Sequence, residues 1–132
     1  SLADMDELQV KRILHILGQE QYKKENVVGV SIKPYSRNLN QGILYTTNSL
    51  CVKGDDCYPE QFIIKYEDIK NAVQSEDSEM AIDIITHNDL IYTVNLFGAF
   101  RMGNFINTML KQNCIVENML RKPRFYMLKN KM

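Results

Sequence analysis

The first apolar pattern in the chain predicts an amphipathic helix over residues 4–17. Asp4, with Glu7 three residues later, is expected to cap its N-terminus, and Gly18 is expected to take the left-handed conformation that often ends a helix. The apolar residues recur at three-and-four spacing and so share one face: Met5, Leu8, Ile13, Leu14, Ile16 and Leu17.

From residue 27 the apolar period shortens to two, which is the spacing of a half-buried strand. Val28, Val30 and Ile32 alternate with small or polar residues until Pro34 ends the run. No helical pattern separates the strand-like segments that follow, so the order predicts an antiparallel sheet of about seven strands. Those further segments are rich in β-branched and aromatic residues and lie at 43–46, 50–53, 62–66, 69–73, 81–86 and 90–94.

The helical period returns near the C-terminus and predicts a helix over residues 99–112, followed by a second helical piece over 115–120 that Pro123 ends. The apolar face of the first piece contains Phe100, Phe105, Ile106, Met109 and Leu110. With 132 residues, of which 45% are hydrophobic and 24% charged, the chain has the size and composition of one globular domain. Together the patterns predict an α+β fold with an extra N-terminal helix.

Two segments resemble the pleckstrin-homology fold in its bacterial, GRAM-like form. Residues 42–50 are similar to the hairpin of such domains, in which a Thr-Asn turn joins two strands, and residues 63–69 are similar to their step from an apolar strand through Tyr and acidic residues to Ile. The resemblance covers about residues 27–112 and implies a bent antiparallel barrel of about seven strands closed by a C-terminal helix. Residues 1–26 and 113–132 would then be additions: an N-terminal helix with its connector, and a helical extension with a basic tail.

The charge distribution bears on the partners of this domain. The 16 basic and 16 acidic side chains cancel, so the molecule has no overall field that would favour nucleic acid, and we expect no nucleic-acid partner. The C-terminal tail is nevertheless basic and contains Arg121, Lys122 and Arg124. Lys33 and Arg37 stand near the loop that binds inositides in some pleckstrin-homology domains, although no third basic residue accompanies them before Gly42.

The residues that most often carry chemistry are few and scattered. Cys51, Cys57 and Cys114 form no C-x-x-C motif, and His15 and His87 are not paired, so we expect no metal site and no cofactor. An odd number of cysteines favours a reducing compartment, and no apolar run approaches the roughly twenty residues that cross a membrane. The sequence therefore predicts a cytoplasmic location.

Three functional hypotheses remain from the sequence. The first is a non-enzymatic binding or scaffolding module of a bacterial protein, which presents a barrel rim or edge to a protein partner. The first alternative is a peripheral module on anionic membranes that uses Lys33, Arg37 and the basic tail. The second alternative is a small-ligand or enzyme domain with a pocket between sheet and helix, where Asp83, His87 and Tyr92 would converge.

Overall fold

The computed structural model describes residues 6–33 and 40–121, with side chains up to residue 111. Its elements confirm the α+β class and the seven strands expected from the sequence. Short 3-10 turns at Lys24–Asn26 and Tyr66–Asp68 precede the first and fifth strands. The helices and strands are α1 (Glu7–Ile16), β1 (Val27–Ser31), β2 (Gly42–Thr46), β3 (Ser49–Lys53), β4 (Gln61–Lys65), β5 (Ile69–Gln74), β6 (Ile82–Thr86), β7 (Ile91–Val94) and α2 (Ala99–Arg121).

The strands form two antiparallel meanders, one in the order β1-β2-β3-β4 and the other in the order β5-β6-β7. An isolated bridge joins the connection between β3 and β4 to β7: Tyr58 and Thr93 exchange N–H···O bonds of 2.9 and 2.8 Å. The expectation of a closed barrel is wrong for the described residues, because no strand of one sheet forms a ladder with a strand of the other. The turn at Tyr66–Asp68 carries the chain out of the first sheet and into the second, so β4 remains an edge strand.

The main core lies between the two sheets and α2. The inner face of the four-stranded sheet supplies Ile43 and Tyr45 from β2, and α2 supplies Met102 and Ile106, both fully buried. Tyr45 packs edge-on against Phe105 of α2 with ring centroids 5.1 Å apart. Alternate residues of the strands therefore point inward, as their period of two predicts.

A second, smaller core lies on the opposite face of the four-stranded sheet, where α1 covers it. Ile13 and Leu17 of α1 pack with Leu44 of β2 and Cys51 of β3, and all four side chains are buried. Strand β2 is consequently buried along its whole length. This explains why its sequence is a continuous apolar run rather than an alternating one.

Both ends of α1 differ from the sequence expectation. The helix begins at Glu7, and Asp6 is the N-cap: its carboxylate accepts a 2.8 Å bond from the Gln9 N–H, and the Gln9 side chain accepts one from the Asp6 N–H. Asp4 lies outside the described residues. The left-handed residues after the helix are Gln19 and Glu20 rather than Gly18.

The C-terminal helix is one continuous element rather than two pieces, since α2 runs from Ala99 to Arg121. Its first half packs on β5 and β6. Among the helices of the described region, none combines the length and apolarity that a membrane crossing requires.

Candidate functional site

A groove of about 570 Å³ opens at the end of the molecule where β7 leads into α2, and we call it the rim groove. Three large apolar side chains on its walls are exposed: Met80 is 67% exposed, Phe97 55% and Phe100 47%. Arg101 and Asp56 supply its charged groups. The sequence pattern had placed Phe100 on the apolar face of the helix, but Ala99 and Met102 occupy the core and Phe100 turns outward.

A close contact between β1 and the residue before α2 sets the shape of this groove. Gly98 has a φ of +90°, and a Cβ at this position would lie 2.8 Å from the Cβ of Ser31. Only glycine accommodates both the left-handed backbone and the close approach. With Gly98 held against Ser31, the next residue, Ala99, is buried. Phe97 and Phe100, which precede and follow these two residues, lie at the surface.

The first turn of α2 is electrostatically unusual. It contains no acidic residue, and Gly98 has no side-chain oxygen to cap the free N–H groups, in contrast to Asp6 and Glu7 of α1. Arg101 adds a full positive charge to the positive end of the helix dipole. Neither Arg101 nor Lys33 forms an ion pair with any described carboxylate, and Asp56 is the one acidic residue in the lining of the rim groove.

Tyr45 lies behind this rim on the inner face of β2, where it is paired in register with Gly29. Its hydroxyl is buried and has no hydrogen-bond partner among the described residues. Burial raises the pKa of Tyr45, while neighbouring Ser31 and Arg101, both of which line the groove, act in the opposite direction. A neutral phenol therefore lies under the groove wall.

The polar residues expected to converge are only partly brought together. His87 and Tyr92 line a second groove of about 510 Å³ between β4 and the β6–β7 turn, together with Asp68. Asp83 does not line it, and instead its Oδ1 accepts a 2.8 Å bond from the Thr93 hydroxyl on the neighbouring strand. The structure thus does not assemble the predicted Asp83, His87 and Tyr92 constellation.

The basic residues predicted to contact a membrane can be placed only in part. Lys33 is exposed just after β1 and lines a small groove that adjoins the rim groove and also contains Asp56. Arg121 is the last residue of α2, and its side chain lies outside the described part of the chain. Arg37, Lys122 and Arg124 also lie outside the described residues.

The described cysteines are unsuited to nucleophilic chemistry. Cys51 and Cys57 are free thiols, both buried. Burial raises the pKa of Cys51 to about 12 and also raises the pKa of Cys57, so neither forms the reactive thiolate near neutral pH. Within residues 6–33 and 40–111, no group of three or more His, Cys, Asp or Glu side chains is placed to hold a metal ion.

Comparisons with known protein families, with curated proteins and with solved structures find no match for this chain. The rim residues Met80, Phe97 and Arg101 were not singled out from the sequence. One signal was available: the segment from residue 96 to residue 101 enters a helix without any Ser, Thr, Asp or Asn to cap it. In the structure the Ala99 N–H donates to the Leu96 carbonyl, and the N–H groups of Phe100 and Arg101 have no partner among the described residues.

Proposed function

We propose that this domain is a non-enzymatic binding module that recognises a partner protein through the rim groove. The observation that carries the proposal is that Met80, Phe97 and Phe100, each about half exposed or more, line one groove. Exposed apolar residues are common one at a time, but a contiguous group with a polar border is typical of an interaction surface.

The charges around the groove indicate the chemistry of the partner. Arg101 and the free N–H groups of Phe100 and Arg101 favour a carboxylate, while the rings of Phe97 and Phe100 favour an apolar side chain. Asp56 adds one negative charge to the groove. The proposed ligand is therefore a protein segment in which a large apolar residue lies next to Asp or Glu. Aromatic anchors beside an arginine are also the residue types that dominate binding energy in interfaces.

We also propose that the fold is pleckstrin-homology-like. A four-stranded meander followed by a three-stranded meander and a helix supports this assignment, together with the similarity of residues 42–50 and 63–69 to that family. Membrane binding through Lys33, Arg37 and the basic tail remains the alternative, and the cytoplasmic location remains a prediction from the cysteine content.

Selection of peptides from a random phage-displayed library tests the proposal. Peptides that bind the wild-type domain should be enriched in aromatic or aliphatic residues next to Asp or Glu. The double variant Phe97→Ser and Phe100→Ser should weaken their binding by at least about tenfold, since it removes two apolar anchors. A matched control, Leu8→Ser with Val28→Ser, changes two exposed apolar residues elsewhere and should leave the affinity unchanged.

Two results would contradict this function. If the selection yields no binder, or if the rim variant binds the selected peptides as tightly as the control, the rim groove is not a protein-binding site. Salt-sensitive sedimentation with anionic vesicles that is lost on replacing Arg121, Lys122 and Arg124 with alanine would favour the membrane module instead.

A further inference from the structure

Strand edges are sites where another chain can pair, and among the four edges of the described sheets two are occupied by other groups and a third, on β1, is irregular. The Asn107 side chain of α2 occupies the β5 edge: its Nδ2 donates to the Ala72 carbonyl at 3.0 Å, and its Oδ1 accepts from the Ala72 N–H at 3.3 Å. Tyr58 occupies the β7 edge at Thr93. A register shift between Val27 and Gly29 interrupts β1.

The remaining edge, on β4, is regular. Gly54 donates to the Glu60 carbonyl and Tyr66 donates to the Asn48 carbonyl, in the same register as the β3–β4 ladder. Because hydrogen-bonded pairs alternate along an antiparallel ladder, the backbone of Phe62 and Ile64 also faces β3. The N–H and C=O groups of the alternate β4 residues therefore point away from the sheet, and no described residue bonds to them: Gln61, Ile63 and Lys65.

This free edge borders the second groove described above, which we call the wedge groove. Strands β4 and β7 approach each other near the Tyr58–Thr93 bridge, and the Phe62 and Tyr92 rings lie 4.7 Å apart. Beyond that point the groove lies between them, with Ile63 on the β4 side and Leu90 on the other. Leu90 is half-exposed, so the groove presents apolar surface as well as unpaired backbone groups.

Carboxylates lie near the wedge groove, on the same edge as the exposed Lys65. Asp68 lines it, Glu67 is its exposed neighbour, and neither forms an ion pair with a described lysine or arginine. The nearby Asp89 is already paired with Lys70, at 3.6 Å. A lysine or arginine brought by another chain would therefore find a carboxylate at this position.

We propose that an extended segment of a partner protein adds to β4 as a further strand, with an apolar side chain in the wedge groove and a lysine or arginine beside Asp68. Main-chain bonds to Gln61, Ile63 and Lys65 would hold the segment, while the groove and Asp68 select its side chains. This surface is separate from the rim groove and takes a basic rather than an acidic segment. A domain with both surfaces can bring two partners together.

Lys65→Pro tests the proposal with little disturbance to the fold. Lys65 has a φ of −74°, within the range of proline, its side chain is exposed, and its N–H faces outward. The probes are peptides selected from a random library on the Phe97→Ser, Phe100→Ser variant, in which the rim groove is disabled. Lys65→Pro should weaken their binding by at least about tenfold, whereas Lys65→Ala, which keeps the N–H, should change it by less than about threefold.

Two further readouts separate strand addition from other binding. Bound peptide should slow hydrogen exchange at the Ile63 and Lys65 amides, and Asp68→Asn should weaken basic peptides and reduce the salt dependence of their binding. Failure to select any peptide, equal binding by Lys65→Pro and Lys65→Ala, or unchanged exchange at Ile63 would each overturn the proposal. The proposed function of the rim groove is tested separately, by the Phe97→Ser, Phe100→Ser variant.

Discussion

The hydrogen bonds between Asn107 of α2 and Ala72 of β5 should make a measurable contribution to the stability of the domain. Its side-chain amide makes both an acceptor and a donor contact with the backbone of Ala72, and Asn107→Ala removes both. A hydrogen bond of this kind contributes about 0.5–1.5 kcal/mol, and since water can partly replace the exposed amide we expect a loss of about 1–2 kcal/mol in total. For a urea m-value of about 1–3 kcal/mol/M, the unfolding midpoint should fall by roughly 0.3–2 M.

The control for this variant is Asn104→Ala. Asn104 lies on the same helix, is exposed, and makes no hydrogen bond to any other described residue. Both variants gain the same helix propensity from the change of asparagine to alanine, so their difference isolates the contact with β5. Hydrogen exchange should accelerate at the Ala72 amide in Asn107→Ala alone. Equal midpoints for the two variants and unchanged Ala72 exchange would refute the reasoning.

Two other predictions concern the core and the rim. Burial raises the pKa of the Cys51 thiol from 9.0 to about 12, so its contribution to stability should be complete below about pH 9 and decline as the pH rises toward 12. The free energy of unfolding in urea, measured at several alkaline pH values, should therefore fall less steeply with pH in Cys51→Ala than in the wild type. An equal slope would contradict this. Gly98→Ala should destabilise the domain by more than about 1 kcal/mol, because it combines a φ of +90° with a contact at Ser31. Gly103→Ala, whose Cβ would meet Ile82 at an ordinary 3.5 Å, should not lower the melting temperature.

Local periodicity was sufficient to predict the strands, because half-buried strands leave a period of two in the sequence. The ends of α1 were less predictable, since Asp4 and Asp6 are chemically equal candidates for the N-cap. The sequence pattern could not show whether the two sheets join into a closed barrel. That depends on pairing between β4 and β7, which is decided by the path of the chain through Tyr66–Asp68.

The candidate surfaces were harder to predict than the elements. Phe100 fits the helical apolar period as well as Met102 does, and only the position of the sheet decides which of them is buried. The free edge of β4 leaves no trace in the sequence, because it depends on what lies beside the strand rather than on the residues in it. Asp68 and His87 likewise line the same groove only because separate elements of the chain pack together.

The helix that covers the outer face of the four-stranded sheet limits how this chain can be divided. Leu44 and Cys51 are kept out of water by Ile13 and Leu17, so a fragment starting at β1 would expose the back of the central hairpin. Such a fragment would expose an apolar surface on a sheet that already has an unpaired edge, and it would be prone to aggregate. The smallest piece of this protein suited to recombinant study therefore includes α1.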